Sequence, residues 1–219
     1  MILKAENLKM EFVRKRKDTN ILQVLNEFNL EIPEGILVII ICESGKGKTT
    51  ILNIISGLLN PTDGKVMLDD IDIYSLNDSE LSELRNKNFG VIPQGQTLLK
   101  SLNIIDNVLL PIKLFKNPSD EDIKHAKSLI EEMGIGELAE VTPSELSGGE
   151  LRRAAIARAL INNPKILFAD EPTSDLDTKN RNMVIDIFKK QRDKGVSIVM
   201  VTHDESLAQI ADILINLNE

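Results

Sequence analysis

The sequence predicts an α/β fold, a mixed and mainly parallel sheet flanked by helices, with an antiparallel β subdomain at the N-terminus and an inserted α-helical subdomain. Three observations predict it. The run Ile36-Leu-Val-Ile-Ile-Ile41 is aliphatic without alternation, which is how a parallel strand covered on both faces reads. The final third alternates apolar strand-like runs with helical patterns, the layout of a sheet with helices packed against it. Between Gly95 and Asn163 strand signals fade and helical periodicity dominates.

In chain order, Ile2 to Phe12 and the alternating Phe28-Asn-Leu30-Glu-Ile32 read as strands with one buried face. The basic run Arg14-Lys15-Arg16-Lys17 between them reads as a solvated loop, and Pro33-Glu34-Gly35 turns the chain into the aliphatic strand. Helical spacing follows over Thr50 to Leu59, stopped by Asn60-Pro61-Thr62-Asp63-Gly64. Short strands are expected at Lys65 to Leu68 and Ile71 to Tyr74, a polar helix at Ser79 to Lys87, and a strand at Phe89 to Ile92. Ser119-Asp-Glu-Asp122 should cap a helix carrying Ile123, Ala126, Leu129, Ile130 and Met133 on one stripe, with Gly134 ending it and His125 facing solvent. Ile166 to Ala169, Ser197 to Thr202 and Ile213 to Leu217 are the remaining strands, separated by helices at Asn180 to Lys194 and near Glu205 to Ile210. We therefore expect one domain over 1–219, with a core of 1–94 and 164–219 and a helical subdomain of 95–163.

At 219 residues and 42% hydrophobic, the chain can bury a large core. Its net charge of −8 argues against a nucleic-acid surface. The longest apolar run, Ile36 to Cys42, is far short of the roughly 20 residues that cross a bilayer, and the N-terminus lacks a signal-peptide layout. A cytoplasmic protein is expected. One cysteine and two histidines argue against a disulfide framework or a metal site built from these residues.

The chemistry concentrates after the strands. Cys42-Glu43-Ser44-Gly45-Lys46-Gly47-Lys48-Thr49 matches the phosphate-loop pattern G-x-x-x-x-G-K-[ST] except at Cys42, and Thr50 continues into the helix. Gly45 and Gly47 let backbone N–H groups turn inward, the helix end adds its dipole, Lys48 would reach the β- and γ-phosphates and Thr49 would ligand Mg²⁺. A P-loop nucleotide-hydrolase core follows from that reading. Asp170 and Glu171 end an apolar strand; paired carboxylates there need a compensating cation, which Mg²⁺ at Asp170 supplies while Glu171 accepts a proton from water. Gln94 and His203 also follow strands, so all four signals should meet outside the carboxyl ends of the sheet. Ser147-Gly148-Gly149-Glu150 is a capping box opening a helix, but two glycines there are costly without another reason, and close approach to phosphate is one.

Taken together, these residues resemble the ATP-binding cassette family over essentially the whole chain, with Leu146 to Glu150 as the signature. The resemblance implies a head-to-tail dimer with a second copy, in which each phosphate loop is closed by the partner's signature helix. It further implies that Phe12 stacks on adenine, that Gln94 couples Mg²⁺ to separate transmembrane permease subunits contacting the region from Gln94 to Pro111, and that His203 serves the γ-phosphate. The expected cofactors are ATP and Mg²⁺, and the expected location is the inner face of the cell membrane. Leu76 to Gln94 and Asn107-Val-Leu-Leu-Pro111 look like the ATPases of lipoprotein release, macrolide export and antimicrobial-peptide export. The implied function is ATP hydrolysis powering export or extraction of a peptide, lipoprotein or drug. Alternatives are a non-transporting cassette ATPase that regulates or assembles an envelope or cofactor complex, and a nucleotide-binding module with little turnover; Arg152 to Leu160 resembles the transporter subunits more. Cys42 for glycine, Glu150 for glutamine and Asp175 for alanine depart from the family pattern, and Glu219 falls short of its usual extra strand.

Overall fold

The computed structural model describes residues 1–15, 19–43 and 47–217. Arg16 and Lys17 of the basic run, and Ser44, Gly45 and Lys46 of the phosphate loop, lie outside the described residues. Two sheets organise the rest. Strands β1 (Leu3–Lys15), β2 (Thr19–Ile32), β4 (Asp63–Leu68) and β5 (Ile71–Asp72) form an antiparallel sheet in the order β2-β1-β4-β5. Strands β3 (Leu37–Ile41), β6 (Phe89–Ile92), β7 (Ile166–Asp170), β8 (Ser197–Thr202) and β9 (Ile213–Asn216) form a second sheet in the order β6-β7-β8-β3-β9. Every described pairing in the second sheet is parallel, so the antiparallel pairs reside wholly in the N-terminal sheet.

The unbroken aliphatic run of β3 has a direct cause. Leu37, Ile39 and Ile41 enter one core with helices α3 (Ile104–Lys113), α4 (Asp120–Glu132), α5 (Gly148–Leu160) and α6 (Thr178–Asp193). Val38 and Ile40 enter a second core with α1 (Lys48–Ile55) and the antiparallel sheet. Both faces of the strand are therefore covered, and alternation has no polar side to report.

Several local expectations are corrected. β2 begins at Thr19 rather than Phe28, and Arg14 and Lys15 extend β1 by pairing with Asn20 and Thr19, because cross-strand pairing outweighs the loop-like composition. Ile73–Ser75 is a 3-10 turn, since Asp72 Oδ1 accepts from Tyr74 N at 3.1 Å and ends the strand. Glu205–Ile210 is likewise a six-residue 3-10 segment, with Asp204 Oδ1 accepting from Ser206 N at 3.0 Å. The polar helix α2 (Asp78–Asn88) carries an Asn77–Glu80 capping box. Ser119 caps α4 as expected, and Gly134 sits at φ +66 just beyond the end of that helix, a conformation that favours glycine. His125 departs from the solvent-facing reading: it is half-buried, its Nε2 is enclosed without a hydrogen-bond partner, and it lines a cavity with Glu132, Gln191 and Lys194. Tertiary packing of α4 near the end of α6 decides that, not helix periodicity. Among the described residues no helix is long and apolar enough to cross a membrane.

Candidate functional site

Parallel strands bring their carboxyl ends to one edge. Ile41 of β3 pairs with Thr202 of β8, Asp170 of β7 with Val201, and Ile92 of β6 with Ala169. The residues following these strands therefore share that edge, where open α/β sheets bind ligands.

Helix α1 starts there on Gly47, whose φ of +92 favours glycine and at which a Cβ would lie 2.4 Å from Val24 Cγ1. Among the described residues no side chain caps this helix, and no acidic residue sits in its first turn. Its leading N–H groups are thus left for a ligand, with the positive end of the dipole behind them. Lys48 is buried, and its Nζ donates to the Cys42 carbonyl at 2.8 Å and lies 2.8 Å from Glu171 Oε1. Thr49 Oγ1 donates to Asp170 Oδ2 at 2.6 Å.

The two carboxylates occupy different environments. Glu171 stands at φ +47, pinned by its N–H to the Val201 carbonyl at 2.9 Å. Its Oε2 accepts from Thr202 Oγ1 at 3.1 Å, and its Oε1 accepts from His203 N at 3.1 Å and lies 2.8 Å from His203 Nδ1. Burial pushes the Glu171 pKa up, but hydrogen bonds from Lys48 and His203 outweigh it and hold the group below the ordinary carboxylate value. Asp170 goes the other way: burial, reinforced by the Glu171 charge, raises it against the lowering effect of Thr49. Its Oδ1 is buried with no hydrogen-bond partner. An orphaned carboxylate oxygen beside a hydroxyl is a hard-oxygen donor pair that suits a magnesium ion, which would satisfy the orphan and relieve the carboxylate repulsion.

The other expected site residues fall into place unevenly. Cys42 is fully buried, and its backbone is not among the positive-φ residues, so a Cβ costs no left-handed strain at this loop position. Glu43 is exposed and Thr50 half-buried. Phe12 is 38% exposed on β1 opposite Leu22, so it is no core residue. Gln94 is exposed past the end of β6, and among the described residues no hydrogen bond joins it to Thr49 or Asp170. The following residues Gly95 to Leu98 line a cavity of about 290 Å³ together with Gly148, Arg152 and Asp175.

At the start of α5, Ser147 N and Oγ donate to Glu150 Oε2 at 2.7 and 2.6 Å, and Glu150 N donates back to Ser147 Oγ at 3.4 Å. The two glycines are not equivalent. Gly148 has open space where a Cβ would stand, whereas a Cβ on Gly149 would meet Asn180 Oδ1 at 2.3 Å. A Cβ at Gly149 would therefore have to displace the Asn180 side chain, a contact that no sequence pattern announced.

The family model described as ABC transporter matches residues 25–174. The lipoprotein-releasing system ATP-binding protein LolD of Aquifex aeolicus (strain VF5) is 42% identical over 209 residues, covering 95% of this chain and 90% of that protein. The macrolide export ATP-binding/permease protein MacB of Campylobacter fetus is 40% identical over 219 residues, 100% of this chain and 34% of its own length. Among solved structures, the dimeric post-hydrolysis state of the ATP-binding cassette MJ0796 bound to ADP and Pi superposes with a TM-score of 0.89 at 36% identity, covering 98% of this chain and 94% of the other.

Proposed function

This chain belongs to the ABC transporter family, and on that premise we propose that it is an ATP-binding, ATP-hydrolysing subunit that powers export or extraction of a peptide, lipoprotein or drug through separate membrane subunits. The observation that carries the reading is the cluster at the sheet edge: Lys48 on Glu171, His203 on Glu171, and Thr49 on Asp170. ATP phosphates lie on the uncapped end of α1, where Lys48 exchanges Glu171 for the γ-phosphate. Glu171, still hydrogen-bonded by Thr202 and His203, then accepts a proton from the water that attacks the γ-phosphorus as the bond to the β-phosphate oxygen breaks. His203 places its ring beside the Glu171 carboxylate and Gln94 positions water from the end of β6. Thr49 and Asp170 would hold Mg²⁺, which would supply charge neutralisation on the phosphates. Phe12 offers its exposed ring to adenine, and Ser44, Gly45, Lys46 and Gly47 complete the cradle.

A second copy of the chain closes the site head to tail, presenting Ser147, Gly148, Gly149 and Glu150; the similar MJ0796 cassette is itself dimeric. Residues 95–163 act as the helical signature subdomain on a core of 1–94 and 164–219. The membrane subunits contact the surface from Gln94 to Pro111, in which Leu99 is 46% exposed and just beyond which Leu114 and Phe115 are 72% and 53% exposed, and they hold the protein at the inner face of the membrane. The test is Glu171→Gln. The variant should bind ATP, hydrolyse it at least about a hundredfold more slowly and accumulate as a dimer in gel filtration with MgATP. A variant that is monomeric throughout, or that hydrolyses at the unmodified rate, would defeat the proposal.

A further inference from the structure

The first turn of α6 reaches the start of α5 through the side chain of Asn180. Asn180 accepts from Arg153 Nη1 at Oδ1, 2.7 Å away, and donates from Nδ2 to Asp177 Oδ2 at 2.9 Å. Its own N–H donates to Asp177 Oδ1 at 2.8 Å, so Asp177 caps α6 and clamps the asparagine at once. Against the same Oδ1 stands the bare Cα of Gly149. Arg153 is buried at 6% exposure, and its Nε has no hydrogen-bond partner, so Asn180 carries much of the solvation that this cation receives from protein. The asparagine cannot swing away without surrendering both the Arg153 and the Asp177 bonds.

The clasp also points back to the hydrolytic side of the same chain. Ser174 Oγ donates to the Glu171 carbonyl at 2.9 Å, and three residues later Asp177 begins the clasp. One short segment thus runs from the end of β7, where Glu171 sits, to the start of α6, whose Asn180 touches the first turn of α5. Resting on the head-to-tail reading above, we propose that Asn180 is a positioning residue: it seats Gly149 and Arg153 so that the Ser147–Gly148 edge is presented to the partner copy's nucleotide. It acts on the site of the other chain, while its own phosphate loop is untouched. On this account Gly149 lacks a side chain because Asn180 occupies that space, and Gly148, exposed and with open space where a Cβ would stand, is the glycine left to approach phosphate.

The experiment compares four proteins in the Glu171→Gln background: the parent, Asn180→Ala, Gly149→Ala and Gly149→Ala/Asn180→Ala. Each is assayed for binding of a fluorescent ATP analogue as monomer, for MgATP-driven dimerisation by light scattering, and for melting temperature without nucleotide. Asn180→Ala should leave monomer affinity within about twofold and raise the MgATP concentration needed for dimerisation about tenfold, the effect of losing a hydrogen bond to a buried charge. Gly149→Ala should lower the melting temperature and abolish dimerisation, and the double variant should recover part of both because the clashing atom is gone. Asn180→Ala that dimerises like the parent, or that loses monomer affinity in the same proportion, overturns the inference, as does a double variant no better than Gly149→Ala. A parent that fails to dimerise overturns the head-to-tail reading itself, and this inference falls with it.

Discussion

Two helix N-termini face opposite tasks in this molecule, and they are built differently. Helix α1 begins on Gly47 with, among the described residues, no capping side chain, and with no acidic residue in its first turn. Helix α5 begins on Ser147 with a complete capping box, and Glu150 lies in its first turn. The Glu150 carboxylate is held below its ordinary pKa by hydrogen bonds from the Ser147 side chain and backbone. An uncapped helix end keeps its N–H groups available and attracts an anion unaided. A capped, acid-bearing end satisfies itself and repels a phosphate. On the head-to-tail reading proposed above, the contrast teaches that α1 would recognise nucleotide alone, whereas α5 would meet phosphate only when dimer closure brings nucleotide to it.

The largest effect should come from breaking the α1 side. Lys48→Ala removes the phosphate ligand and strands Glu171 as a buried charge, so nucleotide binding should vanish in a filter or fluorescence assay. The folded state should also lose about 3 kcal/mol in urea titration. Retained binding would mean that the uncapped helix end suffices without the lysine. On the α5 side, Ser147→Ala should cost about 1 kcal/mol through loss of the cap and should weaken dimerisation while monomer affinity for ATP holds. If monomer affinity fell instead, the division of labour between the two ends would be wrong.

A smaller change should run in the opposite direction. Glu150→Gln keeps the acceptor that closes the capping box but deletes the negative charge, so MgATP-driven dimerisation should tighten by about threefold. Weakening would show that the carboxylate, not merely the cap, is required at this position. Cys42→Gly should leave ATP affinity within about twofold and lower stability by roughly 0.5–1 kcal/mol from added chain entropy in the unfolded state, since the position carries no left-handed strain. The full burial of Cys42 further predicts slow native labelling by thiol reagents.

The smallest expected effect is on the pH dependence of stability, because the adjacent carboxylates oppose each other. Glu171 has a depressed pKa, so its stabilisation is present above the ordinary glutamate pKa and is lost as pH falls through the lower folded value. Asp170 has a raised pKa; it costs stability at neutral pH, and that cost is relieved as pH falls through the raised value. Melting curves from neutral to acidic pH should therefore show Glu171→Gln flattening the acid loss and Asp170→Asn raising stability at neutral pH. Coincident profiles for both variants and the unmodified chain would remove the electrostatic asymmetry inferred from the geometry.

Much of the fold and site is legible in the chain alone. A strand covered on both faces cannot alternate, and Ile36 to Ile41 says so directly. A glycine at the positive-φ start of α1 and a serine with glutamate three residues later at the start of α5 are local chemistry that a linear pattern records. The strand-terminal placement of Asp170, Glu171 and His203 is legible for the same reason, since position relative to a strand end is a property of the chain. Pairing is less so: the extension of β1 and β2 through Lys15 and Thr19 depends on which backbone lies alongside, and composition there suggests a loop.

The sequence by itself determined the two kinds of helix end, the apolar strands and the identity of the groups at their carboxyl ends, because each depends on neighbours within about four residues. Only the tertiary structure decided that Lys48 rests on Glu171, that Asp170 keeps one oxygen without a partner, and that a Cβ on Gly149 would meet Asn180. Those contacts join residues far apart in the chain, and burial, charge pairing and steric exclusion between such residues exist only once the sheet and helices have packed.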